Sequence, residues 1–144
     1  MILADIRLQR KSASIRHQHF TLDAQFSSSA CVTVISGPSG SGKTTILHCI
    51  AGLLAPDSGM ISIDSQSLYD SSRSLHIPVR LRRVGYVFQD LALFPHMTAA
   101  QNIGFGVRAR GREKQRIVGD ALEKFRIAAV AHHRPAEISG GEKQ

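Results

Sequence analysis

The chain contains no tryptophan, and only two tyrosines and six phenylalanines stand among its 144 residues. Its basic clusters, Arg80-Leu81-Arg82-Arg83 and the run from Arg108 through Arg110, Arg112 and Lys114 to Arg116, therefore have no aromatic neighbours on which bases could stack, which argues against nucleic acid as a partner. Cysteine is equally scarce. Cys31 and Cys49 each fall inside a stretch predicted as strand or helix, so buried thiols are expected rather than a disulfide framework or a metal site. No apolar run approaches the roughly 20 residues that a membrane-spanning helix needs. The first residues, Met1-Ile2-Leu3-Ala4-Asp5, lack a basic segment followed by a long apolar one, so no secretory signal is expected. His132-His133 has no carboxylate or cysteine companions of the kind a metal site requires. Acids are outnumbered 11 to 18, for a net charge of +7, and the basic clusters read first as solvated faces, with anionic lipid or nucleic acid as what such charge could attract.

What the chain does have is one nonapeptide, Gly37-Pro38-Ser39-Gly40-Ser41-Gly42-Lys43-Thr44-Thr45. It fits the phosphate-loop pattern of Gly, four residues, then Gly-Lys-Ser/Thr. An apolar, β-branched run, Cys31 to Ile35, precedes it and predicts a buried strand. A stretch from Thr44 to Leu54 with Ile46, Leu47, Ile50, Leu53 and Leu54 apolar predicts a helix after it. Glycines let backbone N–H groups approach an anion, and the helix start adds unpaired amides and a positive dipole end. Lys43 contributes an ammonium, Thr44 a hydroxyl suited to Mg²⁺, and Thr45 a further hydroxyl near the phosphates.

The rest reads in order. Ile2 to Leu8 alternates apolar and polar, and Arg16 to Phe26 does so more weakly, which predicts an antiparallel strand pair before a turn at Ser27-Ser28-Ser29. Pro56-Asp57-Ser58-Gly59 ends the loop's helix, and Met60 to Ile63 is a short strand. Tyr69 to Pro78 reads as a loop, and Val84 to Phe88 as a buried strand ending at Gln89-Asp90. After a bend at Phe94 to Met97, Thr98 with Gln101 has capping-box spacing and predicts a helix toward Phe105. Ile117, Val118, Ala121, Leu122 and Phe125 mark one face of an amphipathic helix from Glu113 to Phe125. Ser139 and Glu142 form a second capping box, and Gly140-Gly141 between them allows close backbone approach to an anion.

Three features in sequence order, Gly37 to Thr45, a strand ending at Gln89, and Ile138-Ser139-Gly140-Gly141-Glu142, resemble the Walker A loop, Q-loop and signature motif of the ATP-binding subunit of an ABC transporter. Ala51-Gly52-Leu53 and Pro56-Asp57-Ser58-Gly59 agree with that family. The run Arg82 to Asp90 and Leu93 to Thr98 resembles its importer branch, closest to the molybdate type, with sulfate, iron and polyamine importers as alternatives. The resemblance implies an α/β P-loop NTPase fold of the ABC ATPase type, with an N-terminal antiparallel β portion and a helical subdomain. The implied layout is a partial ATPase domain over 1–144, a nucleotide-binding core over 1–89 and a helical subdomain over 90–144.

The resemblance further implies ATP and Mg²⁺ as cofactors. Gly37, Pro38, Ser39, Gly40, Ser41, Gly42, Lys43, Thr44 and Thr45 would hold triphosphate and metal. Gln89 would reach the metal and the attacking water, so that Lys43 and Gln89 are the catalytic candidates and Thr44 and Gln89 the metal-side ones. Ser139, Gly140 and Gly141 would close over ATP held by a second copy in a head-to-tail dimer, or by an equivalent second ATPase subunit. Phe88 to Thr98 would face a membrane permease at the cytoplasmic side of the inner membrane, and no nucleic acid partner is expected. His17, or else His19 or Phe20, would stack on adenine; a strand-surface role for these residues is the alternative.

The chain also departs from the family pattern. Ile138 and Glu142 replace the commoner Leu and Gln. No apolar strand ending in Asp-Glu follows the signature, and no switch histidine; Asp90 follows Gln89 without a second acid and does not fill that role. The expectation is therefore the front portion of a longer subunit with its C-terminal part missing, which binds nucleotide weakly but does not hydrolyse ATP by itself and leaves unpaired strand edges. Two other classes compete: a small kinase or GTPase, which explains the loop alone, and a truncated, non-catalytic nucleotide- or nucleic-acid-binding protein.

Overall fold

The computed structural model describes residues 1–11 and 19–144. They fall into two compact units, Met1–Tyr86 and Val87–Gln144.

The first unit is built on an antiparallel sheet. Strands β1 (Ile2–Lys11) and β2 (His19–Ser28) pair along their full length, from Ile2 opposite Ser28 to Lys11 opposite His19. The other edge of β1 takes β3 (Ser58–Ile63), which pairs in turn with β4 (Gln66–Asp70) and then β5 (Leu75–His76), giving the order β2-β1-β3-β4-β5. The alternation expected in β1 is observed: Ala4, Ile6 and Leu8 are buried and, with Leu22 of β2 and Ile61 of β3, form the core. A helix, α1 (Lys43–Ala51), packs Ile46, Cys49 and Ile50 onto that face. Each fully buried Ile or Leu is worth roughly 1.5–3 kcal/mol relative to exposure.

Four sequence expectations are corrected here. Tyr69 to Pro78 is not a loop throughout, because β4 and β5 occupy part of it. A two-residue turn, Asp64-Ser65, returns the chain with both residues at positive φ (45° and 66°). That geometry matches the right-handed twist of a hairpin, but Asp-Ser lacks the glycine that usually announces it. Cys31 to Ile35 is not a buried strand: Val32 and Val34 are 78% and 81% exposed, and Cys31 is exposed too. Val84 to Phe88 is likewise outside the sheet, with Val87 88% exposed. A continuous β-branched run is buried on both faces only between parallel neighbours with helices above and below. The antiparallel sheet of the described residues supplies neither. Thr44–Leu54 shortens to α1, which ends where Gly52 turns left-handed (φ 83°) and Leu53 N–H returns to His48 O at 2.9 Å.

That C-terminus has a second lock. Arg82, read from sequence as part of a solvated cluster, is only 4% exposed. Its Nη1 donates to Cys49 O (2.8 Å) and Ile50 O (2.9 Å), and its Nε to Ile77 O (2.7 Å). A cation at the negative end of α1 is where the helix dipole favours it. Burial lowers the Arg82 pKa, but a guanidinium stays charged at neutral pH. The guanidinium lies so close to Gly52 that a Cβ there would meet Arg82 Nε at 2.5 Å, so the glycine is required by space as well as by φ.

The second unit is helical. α2 (Ala99–Phe105) begins on Thr98, whose hydroxyl accepts from Gln101 N while Gln101 Oε1 accepts from Thr98 N, the expected capping box. α3 (Gly111–Lys124) turns Ile117, Val118, Ala121 and Leu122 inward. Phe125, expected on the same face, caps the helix and is exposed. A last turn, α4 (Gly140–Lys143), carries the second capping box. No helix of the described residues is long and apolar enough to cross a membrane.

Replacing Arg82 by Met keeps the aliphatic stem, strands Ile50 O and Ile77 O, and leaves Cys49 O with the Gly52 amide alone. A loss of about 2–3 kcal/mol in urea unfolding is expected, since a buried acceptor left unsatisfied costs roughly 1–3 kcal/mol. An unchanged midpoint would mean that water satisfies those carbonyls.

Candidate functional site

Residues 37–45 form a tight loop that runs into α1. Gly40 and Gly42 have φ of 80° and 93°, and Ser41 N–H closes a turn onto Pro38 O at 3.3 Å. Gly42 is the N-cap of α1 and has no side chain to offer, so the first-turn amides receive no side-chain cap. No acidic residue lies in that first turn either. Unpaired amides, a positive dipole end and no competing carboxylate make a surface suited to an anion.

Lys43 folds back over the loop. Its Nζ donates to Gly37 O (2.9 Å) and Pro38 O (2.7 Å), so the ammonium sits within the turn rather than in solvent. An incoming phosphate oxygen is a stronger acceptor than a carbonyl. It can therefore replace one of these contacts without moving the lysine far. Thr44 is exposed beside it, and Thr45 half-buried. All nine loop residues named from the sequence are thus brought together.

The loop is seated on β2. A Cβ built on Gly42 would lie 2.9 Å from Leu22 Cδ1 and 3.0 Å from Phe20 Cζ. On the other side the loop is open, and a Cβ on Gly40 would meet nothing within 4 Å. Sequence reasoning weighs Phe20 as a base-stacking candidate or a strand-surface residue and does not foresee this seat. The periodicity of β2, which puts Phe20 and Leu22 on one face, was the available signal. His17 lies outside the described residues, and of the His19 side chain nothing is described.

The remaining sequence candidates belong to the second unit. Gln89 is exposed. Ser139, Gly140 and Gly141 are exposed at the start of α4, and a Cβ on either glycine would find open space. Ser139 is the N-cap: its Oγ donates to Glu142 Oε2 (2.6 Å), and its N–H donates to the same oxygen (2.8 Å). Glu142, the departure from the family's Gln, is thus held in the cap. The Ser139 hydroxyl, and then its backbone N–H, holds the Glu142 carboxyl below the usual carboxylate range. A residue missed from sequence organises the preceding segment: Asn102 Oδ1 accepts from Phe94 N (2.8 Å), and its Nδ2 donates to Phe94 O (3.2 Å) and Thr98 O (3.0 Å).

The sequence profile described as ABC transporter matches residues 20–144. The chain belongs to that family. The ATP-binding protein for molybdenum import, ModC, of Paramagnetospirillum magneticum is 39% identical over 143 residues, 99% of this chain and 38% of that protein. An Fe(3+) ions import ATP-binding protein, FbpC 2, of Pectobacterium atrosepticum is 47% identical over 113 residues, 78% of this chain and 32% of that protein. The chain therefore spans well under half the length of these curated relatives. Among solved structures, the dimeric post-hydrolysis state of the ATP-binding cassette MJ0796 bound to ADP and Pi superposes with a TM-score of 0.72 at 25% identity, covering 99% of this chain and 65% of that one. The P-loop NTPase fold of the ABC ATPase type, expected from the motif order, is the fold observed.

The signature-region cap gives a pH prediction. A carboxyl whose folded pKa is lowered contributes stability above its unfolded pKa, near 4.3 for Glu, and loses that contribution as pH falls through the folded value. NMR titration of Glu142 should give a midpoint below 4.3, and Ser139→Ala should raise it. A Glu142 midpoint unmoved by Ser139→Ala would contradict the hydrogen-bond cause.

Proposed function

We propose that the chain supplies the nucleotide-binding part of the ATP-binding subunit of an ABC importer, which couples ATP binding and hydrolysis to solute uptake. The observation that carries the reading is the loop 37–45: uncapped first-turn amides, a left-handed glycine N-cap, and an ammonium poised between loop carbonyls. Gly37 to Thr45 would hold the triphosphate, with Thr44 on Mg²⁺. The threonine hydroxyl is the usual metal contact of this loop, and its exposure leaves room for the ion. The metal would neutralise charge on the phosphates, while Lys43 places a fixed cation opposite it.

The reading assigns Gln89 to the metal and attacking water. It assigns Ser139, Gly140 and Gly141 to ATP held by a second copy or an equivalent ATPase subunit. Their exposure supports approach by another chain. The segment 88–98 would meet the permease; Phe94, Pro95 and His96 are exposed there, and Asn102 holds the turn in shape. Such a subunit works peripherally on the cytoplasmic face of the membrane.

The cargo proposed is molybdate or a similar oxyanion, supported by the ModC relatives, with the FbpC relatives marking iron as the alternative. The ATP-binding subunit does not itself contact cargo, so the adjoining permease and binding-protein genes decide between them.

Titration with Mg-ATP tests the core of the reading. Binding is expected for the unmodified chain, and Lys43→Ala should weaken it by about ten- to a hundredfold, since a hydrogen bond to a charged group is worth roughly 1.5–3 kcal/mol. Equal affinity in the two proteins would refute the assignment of Lys43 to the phosphates.

A further inference from the structure

We propose that Phe20 and Leu22 are positioning residues for the phosphate loop, acting through Gly42, and that Phe20 serves the triphosphate end of the ligand rather than its base. The inference deepens the nucleotide reading above and rests on it.

The geometry is one-sided. Gly42 sets the start of α1 with φ 93°, and Leu22 Cδ1 and Phe20 Cζ lie 2.9 Å and 3.0 Å from where its Cβ would be. Both side chains project from β2, where Phe20 sits opposite Arg10 and Leu22 opposite Leu8. At that register β1 pairs with β2 alone, its pairing with β3 ending at Arg7, so the seat under Gly42 belongs to the edge strand of the sheet rather than to a loop. Leu22 is buried and Phe20 packs partly buried against the same core cluster. Across the loop, Gly40 faces open space. The loop is thus supported from below and free above.

Lys43 follows Gly42 directly, and the first-turn amides share its peptide planes. A shift of Gly42 therefore reorients the ammonium and the amides together, and displacements of about 1 Å at a positioned group can cost up to a hundredfold in function. The nearest atom of Phe20 is its ring tip, Cζ, whereas a base is stacked by a ring face. The two roles respond oppositely to a hydroxyl at Cζ. A stacking ring tolerates it, because tyrosine presents the same π-face. A ring whose tip faces the space left by the missing Cβ of Gly42 does not, because the added oxygen crowds that space.

The test measures affinity of the protein for Mg-ATP and for Mg-tripolyphosphate, which has no base, in the unmodified chain and in Phe20→Tyr, Phe20→Ala and Leu22→Val, with the thermal midpoint of each. Phe20→Tyr should weaken both ligands by the same factor, on the order of tenfold, with the midpoint little changed. Phe20→Ala should weaken both together, and Leu22→Val should do so by a smaller factor. If Phe20→Ala fails to fold, the tyrosine and valine variants, which keep the apolar body, carry the comparison. Tyrosine with unmodified affinity for both ligands overturns the proposal. Loss of ATP affinity with tripolyphosphate affinity intact also overturns it and assigns Phe20 to the base. Absence of binding of either ligand to the unmodified chain overturns the nucleotide reading itself, and a bound unmodified chain with insensitive variants overturns only this inference.

Discussion

A single missing side chain governs the phosphate loop. Gly42 carries a left-handed φ at the first position before α1, against the tips of two β2 side chains that would crowd a Cβ. Most helices begin on Ser, Thr, Asp or Asn, whose side chain satisfies an amide of the first turn at a gain of about 1 kcal/mol. Here that stabilisation is absent, and the amides are left for a ligand. The helix is therefore less stable at its start than local rules would make it, a departure of the kind expected where function outranks stability.

The opposite end of α1 shows where compensation lies. Gly52 and Arg82 together close the C-terminus, with two of its carbonyls held by one guanidinium from more than 30 residues downstream. Cys49, whose carbonyl is one of them, is buried on the same turn, and burial pushes its thiol up to about 11. It is thus a neutral packing residue at any ordinary pH. α1 is loose in its capping where a ligand would act and tightly bound where it meets the sheet. Both anchors, β2 below Gly42 and Arg82 beyond Ala51, are remote in sequence, which makes the loop's shape a property of the whole first unit.

Much of this was legible in the sequence, and the failures have physical causes. β1, the loop-to-helix transition and both capping boxes rest on local signals: period-two alternation, glycine spacing, and Ser/Thr followed three residues later by Glu/Gln. Those signals need no tertiary context. The composition of Cys31 to Ile35 and Val84 to Phe88 predicts burial, but burial depends on what covers a strand, and the antiparallel sheet of the described residues does not reach them. Sequence places Arg82 on the surface because charged residues usually are there. Nothing in the run Arg80 to Arg83 singles out the one guanidinium that meets helix carbonyls. Phe20 was weighed as an aromatic platform, whereas the contact that matters is its tip against a glycine that is distant in the chain.

The two glycine-rich helix starts, alike in composition, differ in chemistry. At α1 the N-cap is a glycine and no carboxylate follows in the first turn, so no side chain of that turn competes for an anion. At α4 the N-cap serine is fully engaged: its hydroxyl and amide both donate to Glu142, whose own amide donates back to the hydroxyl. An anion arriving at α1 meets free amides and a cation. One arriving at α4 meets a serine already committed and a carboxylate held ionised by that commitment. The Gly140 and Gly141 amides, bare of side chains, remain the more accessible donors. The hydroxyl of Ser139 can turn to a phosphate only by releasing Glu142, whose carboxyl would then lose the first cause of its lowered pKa. With a glutamine at that position the serine could change partners without freeing a charge. In the proposed role the second helix start is therefore the weaker of the two, because its serine must first release a carboxylate.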